Sequence, residues 1–199
     1  MASIAEAAAL DVLAEDGLVA FPTETVWGLA ARAESSAAID RLRAFKGREP
    51  DKSFSILVDS PERGADVAAE WSEAARKLSA LYWPGPLTLV VNCAQRFAPG
   101  VVSADGSIGL RCSPHPVAAV LAEGALDRGL GPVTATSLNR AGDPPARNRV
   151  EAEIVCGDEI PMVDGEAGGA AASTVVDARS ACLRVLREGA IPRDALEAR

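Results

Sequence analysis

The chain has 199 residues, 48% of them hydrophobic, which is enough apolar material for a real core and excludes a disordered segment. Its formal net charge of −8 excludes a broadly basic face for gripping nucleic acid. No apolar run is long enough for a membrane span, and the start, Met1-Ala2-Ser3-Ile4-Ala5-Glu6, has neither a basic n-region nor an apolar h-region, which points to the cytoplasm.

Ser3 and Glu6 make a capping-box pattern for a first helix from Ile4 to Asp16, with Gly17 as its stop. The run Leu18-Val19-Ala20-Phe21 reads as a short buried strand that Pro22 ends. Thr23-Glu24-Thr25 then place two hydroxyls and a carboxylate ahead of Gly28, at the mouth of a sheet. Alone, that stretch also suits a turn satisfying its own backbone. Ser35-Ser36 cap a second helix whose Ala38, Leu42 and Phe45 face the core, and Gly47 ends it. Ser53 to Val58 reads as a strand. Trp71, Ala75, Leu78 and Tyr82 mark another amphipathic helix, stopped by Trp83-Pro84-Gly85-Pro86. Leu87 to Asn92 and Ser107 to Cys112 read as strands, Pro116 to Gly124 as a helix, and Pro132 to Ser137 as a short strand entering a polar loop, Asn139 to Asn148. Val150 to Val155 suits a helix. Ile160 to Val163, Ser173 to Asp177 and Cys182 to Leu186 suit strands, with the glycine-rich stretch Asp164 to Ala172 between the first two. Helices and strands mix without strict βαβ alternation. The pattern predicts one α/β domain over residues 1–199, a twisted mixed sheet with flanking helices.

Cys93, Cys112, Cys156 and Cys182 form no C-x-x-C pair, and the only histidine, His115, sits in a Ser-Pro-His-Pro turn. No metal site is expected from them; four buried thiols in a reducing compartment are. The most informative segment is Lys46-Gly47-Arg48-Glu49-Pro50-Asp51-Lys52-Ser53. The chain has three lysines, and two of them flank Arg48 here. A mobile ammonium beside a planar guanidinium suits phosphate. Cations at a helix C-terminus also stabilise its dipole, which would account for Lys46 well and for Lys52 poorly. Thr136-Ser137-Leu138-Asn139 and the Ser173-Thr174 that follows a glycine loop offer further anion contacts, although each is also compatible with an ordinary turn. Neither a Walker A loop nor G-x-G-x-x-G is present. Alternation along Ser107-Ile108-Gly109-Leu110-Arg111 puts Ser107, Gly109 and Arg111 on one face. No carboxylate pair suggests acid/base work, so positioning and charge neutralisation are the chemistry on offer.

Taken together, Phe21-Pro22-Thr23-Glu24-Thr25-Val26-Trp27-Gly28-Leu29, Lys46-Gly47-Arg48, Trp83-Pro84-Gly85-Pro86-Leu87-Thr88-Leu89, Ile108-Gly109-Leu110-Arg111, Ser137-x-Asn139, Ser173-Thr174-Val175-Val176-Asp177 and Leu186-Arg187-Glu188-Gly189 resemble the YrdC-like threonylcarbamoyl-AMP synthase family, in order and over nearly the whole chain. The resemblance implies a basic concave cavity and the joining of L-threonine, bicarbonate and ATP into threonylcarbamoyl-AMP and pyrophosphate, with Mg2+ expected to assist. The product would pass to a downstream tRNA threonylcarbamoyl transferase acting at tRNA position 37, with weak or no direct tRNA binding. By matching position, it implies Thr25, Arg111, Ser173 and the backbone near Ala135 for threonine. It implies Lys46, Arg48, Lys52, Ser107, Ser137, Asn139 and Arg187 for nucleotide and phosphate, with Lys46 and Arg48 also catalytic. The sequence departs from the family pattern at Trp27, Ala30, Glu49, Ser53-Phe54, Leu138 and Ala141. Glu49 adds negative charge beside the phosphate cations and Ala141 removes a hydroxyl. These departures keep a second reading open, a paralogue that binds RNA or nucleotide without the full reaction.

Overall fold

The computed structural model describes residues 3–47, 49, 52–180 and 182–197. Helix α1 (Glu6–Ala14) turns Ala9, Leu10 and Leu13 inward. Its N-cap is Ala5, without a side-chain cap. The Ser3–Glu6 capping box does not form, because the Ser3 hydroxyl accepts a hydrogen bond from Arg149. The left-handed residue after α1 is Asp16, not Gly17. Strands β1 (Val19–Phe21) and β2 (Gly28–Ala30) pair antiparallel, and every residue in both is buried.

Helix α2 (Ser36–Lys46) follows its sequence signals closely. The Ser35 hydroxyl accepts from the Ala38 N–H, Ala38, Leu42 and Phe45 are buried, and Gly47 closes the helix at φ +61°, where a side chain would be strained. β3 (Ile56–Leu57) precedes α3 (Pro61–Val67), a short helix that the periodicity above does not predict, although Ser60 caps it and Pro61 opens it. α4 (Glu73–Tyr82), β4 (Leu87–Asn92), β5 (Ser107–Arg111) and α5 (Pro116–Asp127) lie where expected. β6 (Thr136–Ser137), α6 (Arg149–Cys156), β7 (Thr174–Asp177), β8 (Arg184–Arg187) and α7 (Arg193–Glu197) complete the chain. The strand expected over Ile160 to Val163 is reduced to isolated bridges, Ala20 to Met162 and Ile4 to Val163.

The sheet is mixed and divides in two. One part has the order β1-β2-β6, all antiparallel; the other has the order β3-β5-β4-β7-β8, with parallel β3–β5 and β4–β7 pairs. Residues 133–135 sew them together. On one side the Leu57 N–H donates to the Val133 carbonyl and the Ala135 N–H to the Ser55 carbonyl; on the other the Thr134 N–H donates to Ala31. The fully buried Thr134 hydroxyl accepts from the Ala31 N–H at 3.0 Å and donates to the Leu29 carbonyl at 3.0 Å. The main core packs Trp27, Leu29, Ile39, Leu42 and Phe54 against Leu87, Leu89, Ile108 and Leu110.

The thiols depart from expectation. Cys112 and Cys156 are buried, but Cys93 is half-buried and Cys182 exposed. Burial pushes the Cys156 thiol up to about 12, and burial with nearby Asp59 pushes Cys112 up to about 11, so neither is a thiolate at neutral pH. Among the described residues no helix is long and apolar enough to cross a membrane.

The seam makes a direct prediction. Thr134→Val leaves a buried donor and a buried acceptor unpaired, so it should lower unfolding stability in a urea titration by about 1–3 kcal/mol, whereas Thr134→Ser should retain most of it.

Candidate active site

A cavity of about 700 Å³ opens between the two sheets. The loop between β1 and β2 supplies Thr23 and Thr25, the end of α2 supplies Lys46 and Gly47, β5 supplies Ser107, Gly109 and Arg111, and the start of β7 and end of β8 supply Ser173 and Arg187. Lys52, Ala135, Ser137 and Asn139 line it as well. The structure thus brings together every site residue expected from sequence except Arg48, which lies outside the described residues. Among the described lining residues the cations are Lys46, Lys52, Arg111 and Arg187, and the one carboxylate is Glu49.

The face expected for β5 is the face observed. Gly109 lies between Ser107 and Arg111, and a Cβ there would stand 2.6 Å from the Ser55 hydroxyl. Its absence lets β3 close against the floor. Arg111, 5% exposed, gives Nη2 to the Glu24 carboxylate, which also accepts from the Ser113 hydroxyl. Burial lowers the Arg111 pKa, and the Glu24 charge opposes that shift. Its Nε and Nη1 have no protein acceptor. The Trp27 indole N–H is likewise buried without a partner.

From Arg111 a polar track crosses the floor. The sheet register sets Arg111 opposite Thr88, Thr88 opposite Val175, and Val175 opposite Arg187. Three strand spacings put the two arginines roughly 14 Å apart. Between them the Thr88 and Ser173 hydroxyls are bonded at 2.9 Å, and Arg187 Nη2 donates to the Ser173 carbonyl at 2.8 Å and to its hydroxyl at 3.2 Å. Burial lowers the Arg187 pKa.

The two lysines differ. Lys46 is 4% exposed, and its Nζ donates to the Ser137 carbonyl at 2.6 Å, the Asn139 carbonyl at 3.1 Å and Asn139 Oδ1 at 2.9 Å. It therefore holds the loop after β6 against the end of α2. Lys52 is exposed and lies 3.8 Å from Glu49, itself exposed, a pair worth little. Thr25 is buried, and the Thr23 hydroxyl donates to the Val26 carbonyl at 2.6 Å. In the 3.0 Å Thr23–Thr25 contact the donor must then be Thr25, whose hydroxyl oxygen, on the cavity lining, keeps acceptor capacity.

Sequence reasoning placed Glu24 and Thr88 in motifs without giving either a partner or a role, and did not single out Asp105 or Arg179. Glu24 carries a readable signal, a carboxylate between two threonines at a strand end. Its partner Arg111 lies 87 residues away, beyond any local pattern. Among the described residues no group of three or more His, Cys, Asp or Glu could hold a metal ion.

The Sua5/YciO/YrdC family model, described as "Telomere recombination", matches residues 11–189. This chain belongs to that family. The threonylcarbamoyl-AMP synthase of Xanthomonas axonopodis pv. citri is 36% identical over 190 residues, covering 90% of this chain and 95% of that protein. Among solved structures of the family, that of P. abyssi Sua5 complexed with L-threonine superposes with a TM-score of 0.88 at 31% identity, over 97% of this chain. The chain spans 56% of the length of that Sua5 chain. E. coli YciO shares the fold, with a TM-score of 0.80 at 19% identity over 96% of this chain and 92% of YciO.

The contrast between the lysines is testable. Lys46→Ala strands buried acceptors and should cost about 3 kcal/mol of stability, whereas Lys52→Ala should stay within about 0.5 kcal/mol, both read from chemical denaturation.

Proposed function

We propose that this chain is a threonylcarbamoyl-AMP synthase that joins L-threonine, bicarbonate and ATP. The observation that carries the reading is Arg111, a buried guanidinium with two unsatisfied donors on the floor of a cavity whose other described cations are Lys46, Lys52 and Arg187. Its planar fork matches the carboxylate of an amino acid. The names of the relatives and the threonine complex of P. abyssi Sua5 support the same assignment.

On this reading Arg111 holds the threonine carboxylate. The Thr25 hydroxyl oxygen accepts from the threonine amine or hydroxyl, and Ser173 and the Ala135 backbone close the pocket. The amine attacks bicarbonate; a C–N bond forms, water leaves, and a carbamate results. A carbamate oxygen then attacks the α-phosphorus of ATP. The new O–P bond replaces the bond to the β-phosphate, and pyrophosphate departs. Arg187, Lys52 and Arg48 neutralise the phosphates, while Lys46 adds charge and fixes the Ser137–Asn139 loop. Positioning and electrostatics supply the rate, with no protein acid or base required. Because Arg187 bonds to Ser173, the nucleotide and threonine ends share one hydrogen-bond network.

The residues present do not fit a magnesium site built from protein. Among the described lining residues the one carboxylate is Glu49, itself exposed, and the remaining polar side chains are hydroxyls, an amide and cations. Mg2+ enters on this reading with the triphosphate, as part of the substrate. The product is an activated carbamoyl group for a tRNA threonylcarbamoyl transferase, and the net charge of −8 argues for handover to that partner over tight tRNA binding. On this reading the reaction runs in the cytoplasm, where ATP and threonine are at hand. Glu49 beside Lys52 favours the second reading, a nucleotide-binding paralogue, and one assay separates the two.

Pyrophosphate release should require ATP, L-threonine and bicarbonate together. Release from ATP alone, or none under any condition, would contradict the synthase. Arg111→Lys, which keeps a charge beside Glu24, should raise the threonine KM about tenfold or more and leave the ATP KM unchanged. A change confined to ATP would show that Arg111 serves the other end.

A further inference from the structure

Arg43 does not line the cavity, yet it is built into the segment that brings Lys52 there. It lies half-buried in the last turn of α2. Its Cζ stands 5.6 Å from the centroid of the Phe54 ring, a fully buried side chain. That is within reach of a cation–π contact. Gly100, in the loop between β4 and β5, borders the same guanidinium. A Cβ there would lie 1.9 Å from Arg43 Nη2. Gly100 also sits at φ +94°, where a side chain would be strained.

From that seat Arg43 Nη1 donates to the Glu49 carbonyl at 2.9 Å. The same carbonyl accepts the Lys52 N–H at 3.3 Å. Arg43 therefore reaches the backbone of Lys52 through one oxygen. The far end of the segment is held separately, by the 2.7 Å contact between the Ser53 and Ser103 hydroxyls and by the Phe54 N–H, which donates to the Gly100 carbonyl at 3.0 Å. Gly100 thus serves twice. Its carbonyl holds Phe54, and its missing side chain admits the guanidinium that holds Glu49. The Lys52 side chain gives no comparable anchor, because its 3.8 Å pair with Glu49 joins two exposed groups.

We propose that Arg43 is a positioning residue for the phosphate side of the cavity. It clamps the Glu49 carbonyl, fixes the segment between α2 and β3, and so presents Lys52 to the triphosphate. The inference rests on the nucleotide reading of the cavity. Ordering a backbone costs free energy when it happens on binding. A segment already ordered by the fold offers the same charge without that cost, so it holds phosphate more tightly. The charge of Arg43 acting at a distance would not have this effect, which separates a clamp from a general field.

Two measurements at constant ionic strength test the clamp. In hydrogen–deuterium exchange, the peptide spanning residues 47–53 should exchange faster in Arg43→Met than in the wild-type protein, with β4 unchanged. In calorimetry and steady-state kinetics, Arg43→Met should weaken ATP and inorganic tripolyphosphate about tenfold and raise the ATP KM, leaving the threonine KM unchanged. Gly100→Ala keeps the charge but displaces the guanidinium, so it should weaken tripolyphosphate comparably, and the double variant should lose no more than either single one. Should Gly100→Ala fail to fold, Arg43→Lys decides the same point. It keeps the charge without the planar fork, so it should recover only part of the affinity. A purely structural role would lower the melting temperature without separating the two KM values. The proposal is overturned if exchange across residues 47–53 is unchanged, if both KM values move alike, if the losses of the two single variants add, or if Arg43→Lys recovers full affinity. A wild-type protein that binds neither ATP nor tripolyphosphate would overturn the nucleotide reading itself, and the exchange result would still decide the clamp.

Discussion

The ion pair between buried Arg111 and half-buried Glu24 governs the architecture of the cavity. Glu24 belongs to the loop that joins β1 and β2, and Arg111 ends β5 in the other sheet. The pair bridges the two sheets at the point where a cavity separates them. A charge pair taken out of water pays desolvation first, and removing one partner of such a pair typically costs about 3–5 kcal/mol. A packed apolar pair would bridge the sheets as well. What an apolar pair could not do is leave a guanidinium edge on the floor of a cavity. The Ser113 hydroxyl on the second Glu24 oxygen keeps the carboxylate turned toward Arg111 and leaves Nε and Nη1 over.

The same economy recurs around the cavity. Lys46 is spent on carbonyls of the loop after β6, and Arg187 is partly spent on Ser173. Hydroxyls are given a direction by fixed acceptors: Thr23 by the Val26 carbonyl, Ser107 by Asp105, Ser137 by Asn139. A cavity wired this way discriminates by polarity as well as by shape, because a ligand group of the wrong sense leaves a desolvated atom unpaired. It also lets a chain of net charge −8 keep a cluster of cations inside, with the acidic residues mostly outside.

Local chemistry was legible, and so were the elements it governs. Helix α2 shows its cap, its core stripe and its glycine stop in eleven residues and two flanks. The β5 alternation correctly assigns Ser107, Gly109 and Arg111 to the cavity face. The clustering of scarce lysines pointed to the cavity too, but could not tell a buried, fully engaged Lys46 from an exposed Lys52. That difference depends on carbonyls more than 90 residues away. The Glu24–Arg111 pair and the Arg179 bridge between Asp105 and Asp177 were out of reach for the same reason. The capping box at Ser3 failed because a tertiary partner, Arg149, competed for the hydroxyl. Helix α3 was overlooked because its seven residues are too few to show a period, although Ser60-Pro61 announced its start.

The central claim is that one cavity holds an amino acid at Arg111 and a nucleotide along the Lys52–Arg187 side at the same time. The measurement that tests it most directly is a crystal structure of the protein with L-threonine and a non-hydrolysable ATP analogue. The account predicts the threonine carboxylate on the Nε and Nη1 edge of Arg111, its amine facing the α-phosphate, and the phosphates beside Arg187. Threonine bound away from Arg111, or phosphates seated on Arg111 in its place, would contradict it.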